Sequence, residues 1–100
     1  MIIYKFGGAS VRNVEGVKNL VAILSQYQEA HVVVLSALGK TTNQLEKLTR
    51  ALYHQDREGF SSRLAEIRAY HFDLLEGLLP GDHPVYDVIG DLFAGLEQSF

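Results

Sequence analysis

Two short segments hold the side chains best suited to chemistry. The first is Lys5-Phe6-Gly7-Gly8-Ala9-Ser10, and the second is Ser36-Ala37-Leu38-Gly39-Lys40-Thr41-Thr42-Asn43. Each part of this set suits a phosphate. Glycines let the backbone approach an anion and turn its N–H groups toward it. A lysine is a point charge that can follow a phosphoryl group as it transfers. The second segment leads into a helix, whose first turn offers free N–H groups and a positive dipole end. Its short Ser and Thr side chains suit either a phosphate or a carboxylate. Plainer readings stand beside these: Gly7-Gly8 also reads as a tight turn, and Lys5 as an edge or surface residue. Lysine is almost never fully buried unless paired, so a lysine inside a strand is worth following.

Other motifs fail on spacing. Gly39-Lys40-Thr41 resembles the end of a Walker A loop, but the first glycine of that motif would fall at Val34. Gly7-Gly8-Ala9-Ser10 does not give the dinucleotide fingerprint, and Ser36 lacks the flanking glycines of a nucleophile elbow. His31, His54, His71 and His83 show no ligand spacing, so no metal site is expected. They read as solvated or packed residues, with His71 on an apolar helix stripe. Glu58, Glu66, Glu76 and Glu97 read as solvated helix faces.

The elements that must position the two segments are legible from periodicity. Ile2 to Phe6 is a short β-prone run closed by Gly7-Gly8. Asn13 is a good N-cap for a helix with an apolar face of Val14, Val17, Leu20, Val21 and Leu24, reaching to about Gln28. His31 to Ser36 is a β-branched run of the kind buried on both faces of a parallel sheet. Strand, helix and strand make a βαβ unit, with both chemical segments at the carboxyl edge where open α/β sheets bind ligands.

Beyond about Thr42 the pattern turns helical. Leu45, Leu48 and Leu52 recur first, followed by Phe60, Leu64, Ile67, His71, Leu74 and Leu78 between about Arg57 and Leu78. Pro80 to Pro84 is a turn, with Pro84 suited to the first position of a helix faced by Val85, Val88, Ile89, Leu92 and Leu96. The last two helices read as an αα-hairpin. The expected division is a βαβ part at 1–42 and a helical part at 43–100.

Composition excludes several function classes. The 100 residues carry 9 basic and 12 acidic side chains, a net charge of −3, and no basic run, so nucleic acid is not an expected partner. There is no cysteine for a disulfide or a thiolate metal site. No apolar run approaches the about 18 residues of a membrane span, and Ile2 to Phe6 is too short for a signal peptide. The expected location is the cytoplasm. Two parallel strands do not make an independently stable sheet. The chain therefore reads as the opening portion of a larger α/β domain, the alternative being a small α-rich domain that hides its strand edges by dimerising. Exposed strand edges and apolar helix faces make a homo-oligomer the expectation.

Lys5-Phe6-Gly7-Gly8-Ala9-Ser10-Val11 resembles the opening signature of aspartate kinases, Lys-Phe-Gly-Gly-Thr-Ser-Val. Val32 to Leu45 is similar to that family's second motif, in which a valine-rich strand leads into Ser-Ala and then Thr-Asn-x-Leu. The resemblance implies the N-terminal part of a three-layer α/β/α amino-acid kinase fold, with a βαβ unit followed by a helical hairpin. It implies ATP-dependent phosphorylation of the β-carboxylate of L-aspartate, with Mg2+ accompanying the nucleotide, in lysine, threonine and methionine biosynthesis. By the same resemblance Lys5 would stabilise the transferring phosphoryl group, and Phe6, Gly7 and Gly8 would hold the ATP phosphates. Ser36 and Thr42 would position aspartate, and Asn43 would support that loop. Ala9 departs from the signature, standing where threonine is usual. Alternatives are a glutamate or acetylglutamate kinase, or a non-catalytic helical interaction module. The later substrate residues, base pocket and regulatory ACT domains of the family have no counterpart here, so the chain alone is expected to be inactive.

Overall fold

The computed structural model describes residues 2–100, in the order β1 (Ile2–Phe6), a 3₁₀ turn (Gly8–Val11), α1 (Val14–Ser25), β2 (His31–Leu35), α2 (Thr41–Tyr53), α3 (Arg57–Leu78) and α4 (Val85–Glu97). The chain divides into two units, residues 1–42 and 43–100. Among the described residues, no helix is long and apolar enough to cross a membrane.

In the first unit β1 and β2 pair in parallel, with Ile2 opposite His31 and Phe6 opposite Leu35. Their connection is α1, which begins where Asn13 accepts a hydrogen bond from the Gly16 N–H at 2.8 Å. Such a cap contributes about 1 kcal/mol. The helix ends at Ser25, short of the expected Gln28. There the Ser25 hydroxyl donates to the Val21 carbonyl at 2.7 Å, and the Gln26 and Tyr27 N–H groups make tightened bonds to Ile23 and Leu24.

The sheet has two unlike faces. Tyr4, Phe6, His31 and Val33 are half-buried. Tyr4 lies 5.4 Å from the Tyr27 ring and meets His31 edge-on at 5.7 Å. Desolvation, then the hydrogen bond with Tyr27 and the nearby charges of Tyr27 and Glu29, pushes the Tyr4 phenol above its ordinary range. On the opposite face Ile3 is 70% exposed, Val32 43% and Val34 46%. The apolar run in β2 implies burial on both faces; here one face is open, because a strand pair acquires its second cover only from another layer.

The second unit is helical, with a core of Leu48, Ala51, Phe60, Leu64, Ile67 and Phe93. Helix α2 ends in a Schellman turn: the Asp56 N–H donates to Ala51, the Gln55 N–H donates to Leu52, and Gln55 takes the left-handed conformation at φ 56°. Asp56 then caps α3 by accepting from the Gly59 N–H at 3.0 Å. Helices α3 and α4 form the expected hairpin, closed by the Tyr86 hydroxyl donating to the Leu79 carbonyl at 2.9 Å. Pro84 is the N-cap rather than the first helical residue.

The apolar face of α4 keeps the expected Val85 and Ile89, both half-buried, but differs in the rest. Phe93 is buried and its ring meets those of His71 and Phe72, while Tyr86 and Ile89 are half-buried beside it. Val88, Leu92 and Leu96 lie outside, with Leu92 61% exposed. Two apolar stripes one residue apart compete on this helix, and the one carrying the larger aromatic payload turns inward.

Candidate functional site

Parallel pairing sends both chemical segments off the same edge of the sheet, and the backbone then ties them together. The Ser36 N–H donates to the Phe6 carbonyl at 3.0 Å, which extends the ladder one residue past β2. The Gly39 N–H donates to the Gly8 carbonyl at 3.2 Å and bridges the two loops directly. After β1 the chain enters the 3₁₀ turn, whose first bond runs from the Ser10 N–H to the Gly7 carbonyl at 3.0 Å. The N–H groups of Gly8 and Ala9 precede that bond and have no partner within the turn.

The glycines of these loops do different work. A Cβ on Gly8 would lie 2.6 Å from the Gly39 carbonyl oxygen and 3.3 Å from that of Ala37, so only glycine lets the loops meet. Gly39 adopts φ 53°, the left-handed region open to glycine at no cost. Gly16 of α1 sits where a Cβ would meet the Ser10 carbonyl oxygen at 2.5 Å, so helix and turn touch through it. Gly7 has no such reason. Its backbone is extended at φ −79°, and a Cβ there would meet nothing within 4 Å. Gly8→Ala is therefore expected to force the loops apart and cost about 1–3 kcal/mol, by overpacking against rigid backbone. Thermal unfolding and faster amide exchange at Gly39 would read this.

Lys5 lies opposite Val34 and is exposed, two residues before the glycine pair. Phe6 is half-buried at the last ladder position, and Ser36 is exposed. Thr42 and Asn43 occupy the first turn of α2 and are exposed, whereas the neighbouring Thr41 is buried, its N–H donating to Leu38 at 3.0 Å. The fold thus brings Lys5 to Gly8 and Ser36 to Gly39 to one edge. Sequence reading singled out Thr42 but not the buried Thr41. It also missed Gly16 as the point of helix–turn contact, although an isolated glycine inside a helical pattern is the signal for one.

The amino acid kinase family matches the chain over residues 1–88. The chain is 36% identical over 81 residues to bifunctional aspartokinase/homoserine dehydrogenase 2 of Escherichia coli (strain K12), a match covering 80% of this chain and 10% of that protein. It is 41% identical over 58 residues to aspartokinase 2 of Bacillus subtilis (strain 168), covering 55% of the chain and 14% of the relative. With chloroplastic aspartokinase 2 of Arabidopsis thaliana the identity is 52% over 46 residues, covering 45% and 8%. The matched stretches thus span about a tenth of these relatives' lengths. With the parallel βαβ unit followed by helices, and a family match that runs through both loops and most of the helical part, this chain belongs to the amino acid kinase family.

Proposed function

We propose that this chain is the opening portion of an aspartate kinase, which transfers the γ-phosphoryl group of ATP to the β-carboxylate of L-aspartate. The products are 4-phospho-L-aspartate and ADP. The observation that carries this reading is the Gly39 N–H to Gly8 carbonyl bond, which holds the two loops together on one sheet edge. The shared aspartokinase naming of the relatives supports aspartate over other acceptors. The open face of Ile3, Val32 and Val34 accords with a sheet that acquires a further layer in a longer protein.

The residues fit a nucleotide's phosphates. Open space beside Gly7, with no fold reason for glycine there, suits an anion lying against the backbone. Phe6, Gly7 and Gly8 form that surface, and Lys5 supplies the positive charge that stabilises the phosphoryl group in flight. Phosphoryl transfer depends chiefly on such positioning and charge stabilisation. Ser36 and Thr42 orient aspartate through their hydroxyls, with Asn43 supporting the loop. Mg2+ bound with the nucleotide would supply neutralisation of the phosphate charge. Among the described residues, no group of three His, Asp or Glu side chains is placed to hold a metal.

The test is a phosphorylation assay on the full-length protein, trapping acyl phosphate with hydroxylamine. Aspartate should exceed glutamate and N-acetylglutamate in kcat/KM by tenfold or more, since one methylene is worth about 10–200-fold in a fitted pocket. Preference for either alternative acceptor would replace the aspartate reading. The 100-residue chain alone should give no acyl phosphate above background, because it carries half of a positioning machine.

The exposed stripe of Val88, Leu92 and Leu96 favours one second reading, a helical interaction module without catalysis. A Lys5 variant separates the two.

A further inference from the structure

A second concentration of positive charge lies within the helical unit. A depression of about 320 Å³ is lined by Lys47, Arg50, Ala51, His54, Asp56 and Arg63. The Schellman turn at the end of α2 presents His54 and Asp56 here, α2 supplies Lys47 and Arg50 one turn apart, and α3 supplies the half-buried Arg63.

Four observations point to an anionic occupant. Residues 43–100 hold five Lys and Arg against ten Asp and Glu, yet three of those five cations line this one depression. Lys47 and Arg63 have no acidic partner among the described residues. Arg50 pairs with Glu46 at 2.9 Å, but both side chains are more than 60% exposed, and such a pair holds the guanidinium only weakly. The one carboxylate at the rim, Asp56, accepts the Gly59 N–H and is committed to capping α3.

We propose that this depression binds a small phosphate monoester. Two guanidinium groups give the planar fork that matches phosphate oxygens bidentately, and Lys47 adds a mobile point charge. The buried Ala51 provides an apolar floor for the organic part of the ligand. The volume sits at the small end of ligand sites, which fits a compact metabolite rather than a nucleotide. The surrounding acidic excess repels extended polyanions, so nucleic acid is not the occupant. Periodicity within one segment hides the site, because Lys47 and Arg50 lie on α2 and Arg63 on α3.

Titrating the 15N-labelled chain with glycerol 2-phosphate at constant ionic strength tests this. Saturable amide shifts are expected between residues 50 and 63, weakened about tenfold in Arg63→Gln and severalfold in Lys47→Gln. Shifts at residues 7–10 or 36–39 report the loop site and are scored separately. Should Arg63→Gln fail to fold by circular dichroism, the exposed Lys47 variant decides alone. Non-saturating shifts, binding unchanged in the folded variants, or equal binding of citrate would each overturn a phosphate-selective site.

Discussion

Lys5→Ala in the full-length protein is expected to lower kcat for aspartyl phosphate formation by about 10³-fold, near 4 kcal/mol, the cost typical of removing one group that stabilises transition-state charge. KM for ATP should change far less, because the charge is needed most as the phosphoryl group leaves. Lys5 is exposed in the 100-residue chain, so there the variant should unfold at nearly the same temperature as the parent. Steady-state kinetics beside a melting curve separates the two effects. An unaltered kcat in the folded variant would remove the lysine from the mechanism and favour the interaction-module reading. Lys5→Arg is informative as well: a broad planar cation does not reproduce a compact ammonium charge, so little activity should return.

The second large effect concerns two adjacent residues of α4. Phe93→Ala should destabilise the helical unit by about 3–5 kcal/mol, because it empties a core position against His71 and Phe72. Leu92→Ala, one residue earlier and 61% exposed, should stay within about 0.5 kcal/mol of the parent. Urea denaturation of the 100-residue chain, followed by helical circular dichroism, measures both. A loss of that size is comparable to much of a small unit's total stability, so the Phe93 variant should lose a cooperative transition under mild denaturant. The reverse ranking would return α4 to the face its leucines suggest.

Elements with strong short-range patterns are legible in the letters, and contacts between distant segments are not. Strand β1 runs over the expected Ile2–Phe6, α3 over the expected Arg57–Leu78, and the parallel pairing follows from strand–helix–strand order. All three rest on short-range periodicity or a strong topological rule. The α4 face is legible only in part, because Val88-Ile89 and Leu92-Phe93 offer two stripes one residue apart, and packing across the hairpin decides between them. The open face of β2 was not legible either, since a run of valines reports what a strand tolerates rather than what covers it. At the candidate site, residue types were plain, but the reason Gly8 must be glycine lies in Gly39, about 30 residues away. Spacing within one segment carries no trace of such a contact.

The unlike roles of the paired glycines offer a handle on cause. Gly8 is held by the architecture, whereas a Cβ on its neighbour would meet nothing within 4 Å in this chain. Gly7→Ala should therefore melt like the parent while losing about tenfold or more in kcat/KM for ATP, if a methyl group intrudes where the nucleotide's oxygens lie. Equal catalytic efficiency in that variant would mean the nucleotide keeps its distance from the loop. A single methyl, added where the scaffold is indifferent to it, thus isolates what the ligand requires from what folding requires.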